Sequence, residues 1–212
     1  MNNLSKVSVA VLLIVFTAAA VCPARADAAT LASDSTLWID ACHSISAVFE
    51  GGAPIFYRAD GSVSKGTLLS NTTMWIDTSH SISAVFQAAT LITLRNDGSV
   101  VSGTLLSNTT LWINTQHSIS TVFQGGTTIS CQPDGSVAEG TLLANTTLWI
   151  NTSHSSSAVF KAGTAITCRP DGCVSAGTLF ANTTLWISAA HANSQVFPAG
   201  SQVSFREDGS AY

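Results

Sequence analysis

The stretch TLLSNTTMWIDTSHSISAVF, residues 67–86, returns as TLLSNTTLWINTQHSISTVF at residues 104–123 and as TLLANTTLWINTSHSSSAVF at residues 141–160. Each copy starts 37 residues after the one before and contains a tryptophan, a histidine five positions later and a final Val-Phe pair. The tryptophans are Trp38, Trp75, Trp112, Trp149 and Trp186, and the histidines are His43, His80, His117, His154 and His191. Self-similarity at such a period is typical of repeat architectures. We therefore divide the chain into five units, 30–66, 67–103, 104–140, 141–177 and 178–212.

Each unit has the residue pattern of short β-strands. Between residues 164 and 173, TAITCRPDGC, apolar and polar side chains alternate through Ile166, Thr167 and Cys168, as they do in a half-buried strand. Asp171 and Gly172 then predict a tight hairpin turn, because glycine accepts the positive φ that such a turn needs. The recurring segments predict about four strands per unit: Leu-Trp-Ile, Ser-x-x-x-Val-Phe, Ile-x-Cys/Leu and Val-x-x-Gly-Thr-Leu. No segment of a unit indicates a helix.

Two all-β architectures fit these units. In the favoured one, five tandem 37-residue β-meander repeats form an open twisted or solenoid-like sheet. The alternative is a small five-bladed β-propeller. A propeller is suggested because the last unit stops at DGSAY, before its Gly-Thr-Leu strand, and the segment ATLAS at residues 29–33 could supply that strand. A unit of this length is short for a propeller blade, which favours the open form.

The pattern F.AGT.I....DG.V..GTL..NT.L, seen in residues 160–185, carries a resemblance to known repeats. It resembles the repeats of poorly characterised exported bacterial proteins. More distantly, it is similar to membrane-occupation-and-recognition-nexus hairpin repeats. The resemblance covers the repeat region and rests on turn and core residues. It implies an array of β-hairpins and assigns no functional residue.

Two kinds of turn recur beside the strands. Four turns read Arg-x-Asp-Gly, which predicts an exposed contact between the arginine and the aspartate. The arginines are Arg58, Arg95, Arg169 and Arg206. The Asn-Thr-Thr segments predict turns in which asparagine bonds its own backbone, as Asp34 would do in the first unit. Glycosylation of these sequons is the alternative.

The first 26 residues read as a secretory signal peptide. A short polar start with Lys6 precedes an uncharged apolar run, and PARADAA supplies small residues at cleavage-site spacing. The sequence therefore predicts cleavage after Ala26 and a secreted, periplasmic or cell-surface protein whose residues 27–212 form one repeat domain. Without Lys6 and Arg25, six basic and twelve acidic side chains remain, a net charge of −6. This charge argues against a nucleic-acid partner, and no later segment is apolar and long enough to predict a membrane span.

Four cysteines remain after the signal peptide, and export permits disulfides. Cys168 and Cys173 bracket the turn RPDG, so they form a possible disulfide. Cys131 occupies the strand position of Cys168 one unit earlier, which indicates a buried thiol. No second close pair of cysteines or histidines has ligand spacing, so the sequence predicts no metal site and no cofactor.

The recurring Trp and His positions are the candidate ligand-binding residues. If Met74 and Ile76 face the core, Trp75 between them points away from it. Trp75 could then pack under the loop DTSH while His80 closes that loop by hydrogen bonding, or the two rings could line a groove that binds sugar. No paired carboxylates, phosphate loop or nucleophile motif recurs, so the sequence predicts a protein that is not an enzyme.

The sequence therefore predicts a secreted or envelope-associated protein for binding or adhesion. Its expected partner is a surface glycan or another protein. The alternative is a structural envelope or matrix protein built by stacking of β repeats, for which self-association is expected.

Overall fold

The computed structural model describes residues 28–212 as an all-β protein with twenty strands and no helix among those residues. The predicted signal peptide, residues 1–26, lies outside the described residues. Across the part that is described, no helix has the length and apolar character that a membrane span requires. The predicted fold class, an open array of all-β repeats, is confirmed.

Four strands recur in each of the first four units, the last unit has three, and one further strand precedes the first unit. In chain order they are β1 (Ala28–Thr30), β2 (Ser35–Trp38), β3 (Ser46–Phe49), β4 (Pro54–Tyr57), β5 (Val63–Thr67), β6 (Thr72–Trp75), β7 (Ser83–Phe86), β8 (Leu91–Leu94), β9 (Val100–Thr104), β10 (Thr109–Trp112), β11 (Ser120–Phe123), β12 (Thr128–Cys131), β13 (Val137–Thr141), β14 (Thr146–Trp149), β15 (Ser157–Phe160), β16 (Ala165–Cys168), β17 (Val174–Thr178), β18 (Thr183–Trp186), β19 (Ser194–Phe197) and β20 (Gln202–Ser204).

Ten strands form one antiparallel sheet that runs the length of the array. Their order is β1-β4-β5-β8-β9-β12-β13-β16-β17-β20, so each successive unit extends the sheet along the same direction. The Asp-Gly turns join the paired strands of a unit, and Gly61 at φ 84° shows the positive φ expected of them. β1 pairs with β4 of the first unit and lies at the opposite edge from β20. The propeller alternative is therefore wrong, since the first strand does not complete the last unit.

The other two strands of each unit form a separate hairpin in a second layer. These hairpins are β2-β3, β6-β7, β10-β11, β14-β15 and β18-β19. Each of the first four hairpins meets the start of the next unit at one bridge, such as the bridge between Phe49 and Leu68. Backbone hydrogen bonds flank that bridge, from Glu50 N–H to Thr67 O and from Leu69 N–H to Val48 O. The four predicted strands exist, but they belong to two layers instead of one meander. Each layer buries one face against the other layer and exposes its second face.

The core lies between the hairpins and the sheet, and a phenylalanine from each of the first four hairpins fills its centre. Phe123 is completely buried. Its ring rests on Gly140 of the sheet, where an added Cβ would lie 2.6 Å from Phe123 Cδ1. Gly66, Gly103 and Gly177 support Phe49, Phe86 and Phe160 in the same way. The glycine of each Gly-Thr-Leu segment is thus required by close packing.

The turn arginines join neighbouring units. Arg58 donates hydrogen bonds to Ile39 O and Val63 O of its own unit and to Leu94 O of the next. Arg95 and Arg169 reach the next unit in the same way. The predicted exposed Arg–Asp contact is wrong, because the half-buried guanidinium binds carbonyl oxygens instead. Unit 3 has Gln132 at this position, and the Gln132 side chain makes no hydrogen bond within residues 28–212.

The predicted Asn-Thr-Thr turns are wrong, because the two threonines begin a hairpin strand, as Thr72 and Thr73 do in β6, and the bend lies just before the asparagine. Asn71 Oδ1 accepts a hydrogen bond from Ala88 N–H at 2.8 Å, seventeen residues later. Asp34 of the first unit accepts the equivalent bond from Gly51 N–H. The side chain therefore ties the start of one hairpin strand to the turn that follows the other strand, instead of bonding its own backbone.

Candidate functional site

The tryptophans point away from the core, as the alternation in the strand predicts. In β6 and the residue after it, Met74 and Ile76 are 5% and 0% exposed, whereas Trp75 between them is 38% exposed. Trp38, Trp149 and Trp186 are exposed to a similar extent, and Trp112 is half-buried. The array therefore presents a row of five indoles on the outer face of the hairpin layer.

Each indole stacks against the histidine of its own unit. The ring centroids are 5.7–6.1 Å apart, and the ring planes differ by 9–25°. Offset stacking at this separation is a favourable arrangement for aromatic rings. The structure thus brings together all ten sequence-predicted site residues, as five Trp–His pairs.

The loop before each histidine holds it in an unusual backbone conformation. His43, His80, His117, His154 and His191 all have φ between 50° and 54°. A residue with a Cβ is disfavoured by roughly 1 kcal/mol or more in this left-handed region, where glycine is the usual choice. That every unit keeps a histidine there indicates that the imidazole ring itself has a role.

The residue after the Leu-Trp-Ile segment, Asp77 in unit 2, closes the loop with its side chain. The imidazole is not needed to close the loop. Asp77 accepts hydrogen bonds from the N–H groups of Ser81 and Ile82, and from the hydroxyl of Ser79. Burial raises the pKa of Asp77, but these bonds outweigh it and hold the pKa well below its usual range. Asn114 and Asn151 make the equivalent bonds in units 3 and 4. The histidine is therefore free to present its ring to the tryptophan.

The other side of the imidazole contacts the Asp-Gly turn of the same unit. His117 Nε2 lies 3.0 Å from Asp134 O, and His191 Nε2 lies 3.1 Å from Asp208 O. In unit 2, His80 Nε2 is 3.8 Å from Asp97 Oδ2. The ring thus links the hairpin layer to the large sheet and fixes the orientation of the indole on which it stacks.

Shallow grooves lie between successive hairpins, with an indole at the wall. One groove, between units 1 and 2, is lined by Trp75, Thr73, Ser46 and Gly98 above an apolar floor that includes Ile39. Its counterpart three units along is lined by Trp186, Thr184, Ser157 and Gly209. Each groove therefore combines one aromatic surface with hydroxyl groups and lacks basic side chains.

An exposed apolar ribbon runs beside the indole row. Leu106 N–H donates to Val85 O at 2.9 Å, which sets these two outward-facing residues side by side. Val85 is 37% and Leu106 is 40% exposed. Leu69, Leu143 and Phe180 take the place of Leu106 in other units. Contiguous exposed apolar surface of this kind marks an interaction site more often than a single exposed leucine does.

The predicted disulfide pair consists of two free thiols in the structure. Cys168 faces the core, whereas Cys173 points towards the unit 4 hairpin loop and donates to Asn151 O at 2.9 Å. Burial raises the pKa of both thiols to about 12. Neither thiol is therefore activated as a nucleophile at neutral pH.

One group of metal-ligating atoms, which sequence reasoning missed, lies at this turn. His154, Asp171 and Cys173 place one ligand atom each within 4.8 Å of the others. The signal in the sequence was the cysteine itself, because Cys173 stands where the other units have serine.

No protein-family model, curated protein or solved structure matches the chain. The resemblance to exported hairpin repeats therefore stays a prediction. A functional assignment has to come from the geometry of the exposed row.

Proposed function

We propose that this is a secreted or envelope-associated, non-catalytic protein that binds carbohydrate through its row of Trp–His pairs. The observation that supports the proposal best is the outward orientation of the five indoles, each held in place by its histidine. The face of an indole carries negative π density, and the C–H bonds on one face of a sugar ring are weakly positive. An indole fixed at a groove wall is thus suited to stack on a pyranose.

The polar groups around each indole suit a neutral, hydroxyl-rich ligand. Trp75 pairs across the hairpin with Ser83, and Thr73 beside it pairs with Val85. Thr73 and Ser83 are exposed, so their hydroxyl groups can donate to or accept from sugar hydroxyls. The net charge of −6 beyond residue 26 does not favour a polyanion.

The spacing of the pairs favours a polymer over a single sugar. Each unit adds two strands to the large sheet, so successive indoles are expected about 9.5 Å apart along the array. That step is close to the length of a disaccharide in an extended glycan chain. Five weak, shallow contacts along one chain would act together through their high effective concentration.

Graded removal of the indoles tests the proposal. The purified protein is assayed for binding to insoluble cellulose and chitin and to a glycan array. Trp112→Ala, then three and then all five Trp→Ala changes are introduced. We expect the affinity for glycan to fall roughly fivefold for each indole removed, since such stacking contributes about 1 kcal/mol. A circular dichroism spectrum confirms that each variant keeps its β structure.

In the matched control, threonine replaces the valines that lie on the same outer face as the indoles. Val122→Thr, and then the same change in other units, lowers apolar exposure without touching the indole row. Glycan binding should survive this change. If binding falls equally in both series, the ligand recognises general apolar surface. If the unaltered protein binds no polysaccharide, the carbohydrate proposal fails.

The second candidate is a structural protein whose copies stack edge to edge. Its supporting observation is that β1 and β20 lie at opposite edges of the ten-stranded sheet. Among the described residues, β20 pairs with β17 along its length, and its other edge accepts one backbone hydrogen bond, from Tyr212 N–H to Ser204 O. In the repeat, β1 corresponds to the second strand of a sheet hairpin and β20 to the first, so two copies placed head to tail could complete one hairpin. Fibres seen by electron microscopy, with polysaccharide binding absent, would support this candidate.

A further inference from the structure

Unit 4 differs from the other units at one position of its Asp-Gly turn. Ser62, Ser99, Ser136 and Ser210 are completely buried, and Cys173 takes their place with the same burial. In units 1, 2, 3 and 5 the serine hydroxyl donates to the turn aspartate, as Ser62 does to Asp60 at 2.7 Å. Cys173 therefore brings a sulfur atom to a position between an aspartate and the histidine of the loop.

The geometry of the three side chains suits a metal ion. His154 Nε2 or Nδ1, an Asp171 carboxylate oxygen and Cys173 Sγ all lie within 4.8 Å of one another. Tetrahedral zinc with ordinary bond lengths needs ligand atoms about 3.3–3.8 Å apart. His154 and Asp171 are both half-buried, and binding an ion would require the three ligand atoms to move together to that spacing.

Two buried polar atoms at this turn lack a hydrogen-bond partner within residues 28–212. They are His154 Nε2 and Arg169 Nη1. In unit 1 the equivalent arginine nitrogen donates to the serine hydroxyl, from Arg58 to Ser62 at 3.0 Å. The change of serine to cysteine leaves Arg169 Nη1 with a weak acceptor. A metal-bound thiolate would be a strong acceptor for such a donor, and metal ligands are commonly supported in this way.

We propose that His154, Asp171 and Cys173 bind one Zn²⁺ ion, or a similar borderline-soft divalent ion, with water as the fourth ligand. Nitrogen, oxygen and sulfur are the donor set that zinc accepts, and three protein ligands leave one position open. Binding forms the Zn–S bond and releases the thiol proton to solvent. The metal site shares His154 with the unit 4 Trp–His pair, whose ring centroids are 5.9 Å apart.

A catalytic cysteine is a poorer explanation of the same three residues. Cys173 Sγ has no exposed surface, and its residue is 0% exposed. A carbon substrate therefore has no approach to the sulfur. A metal ion needs only the three ligand atoms that already lie together here, two of which belong to half-buried residues.

Cobalt and zinc titrations of the purified protein test the proposal. Cys42→Ser is included throughout, because Cys42 is an exposed thiol that would bind metal non-specifically. We expect one equivalent of Co²⁺ to give the sulfur-to-cobalt charge-transfer band and the visible bands of a tetrahedral site, and Zn²⁺ to displace it. Zn²⁺ should also raise the melting temperature.

Two variants exchange the serine and cysteine that follow the Asp-Gly pair in different units of this chain. Cys173→Ser restores the turn of the other four units and should fold, but its zinc affinity should fall at least about 100-fold. Ser99→Cys should let the protein bind a second equivalent of zinc, in unit 2, where His80 Nε2 and Asp97 Oδ2 lie 3.8 Å apart and have no hydrogen-bond partner among residues 28–212. The proposal is overturned if Cys173→Ser binds zinc as tightly as the parent. It is also overturned if the parent shows no charge-transfer band.

Discussion

The histidine of the middle unit allows the backbone and ring contributions to be separated. His117 has φ 51°, its ring centroid lies 6.1 Å from that of Trp112, and its Nε2 is 3.0 Å from Asp134 O. His117→Ala loses the stack, about 0.5–1.5 kcal/mol, and the hydrogen bond, about 1 kcal/mol, but keeps the strained φ. His117→Gly loses the same contacts and relieves about 1 kcal/mol of strain. We therefore expect destabilisation of about 2 kcal/mol for alanine and about 1 kcal/mol for glycine.

The assay is urea unfolding followed by circular dichroism, with the free energies of unfolding compared at equal slope. Ala89→Gly is the matched control. Ala89 has φ 56° at a turn where three later units have glycine, and it carries no ring that could be lost. This variant should be more stable than the parent by about 1 kcal/mol. Equal stability of His117→Ala and His117→Gly, or a gain for His117→Gly over the parent, would refute the reasoning.

Three further changes test the unit junctions, the core and the loops. Gln132→Arg should raise the free energy of unfolding by about 0.5–2 kcal/mol, because a guanidinium there can donate to Cys168 O as its counterparts do; no gain in urea unfolding would argue against the bridge. Gly140→Ala should lower it by about 1–3 kcal/mol, because the new Cβ would lie 2.6 Å from Phe123 Cδ1; a neutral result would mean that the Phe123 ring moves aside. Asp77 has a lowered pKa in the fold, so its stabilisation is complete above the unfolded value near ~3.9 and is lost as the pH falls below it. Asp77→Asn, which copies units 3 and 4, should lessen the loss of stability between about pH 4 and pH 2, and an unchanged acid profile would contradict this assignment.

The sequence predicted those features that depend on local spacing. The period, the strands and the Asp-Gly turns follow from residues close together in the chain, and the outward direction of Trp75 follows from its neighbours Met74 and Ile76. The division into two layers was not predictable, because alternation shows that a strand has two faces and does not show which strand lies beside it.

The site was predicted in part for the same reason. The Trp and His positions were evident from their recurrence. Their mutual stacking depends on a left-handed φ at the histidine, and that conformation was not predictable because the position is not a glycine. Arg58 binds Leu94 O across 36 residues, and His154 meets Cys173 through the fold. A single sequence shows that such residues recur, but it does not show which residues they contact.

The position of the grooves has a consequence for how such a protein can evolve. A groove between units 1 and 2 uses Ser46 from one hairpin and Trp75 from the next, so a solitary unit would possess none. Duplication of one 37-residue segment therefore inserts one complete groove and leaves every existing groove intact. If the grooves bind a polymer as proposed, each duplication would add one binding contact without changing the residues of the existing grooves.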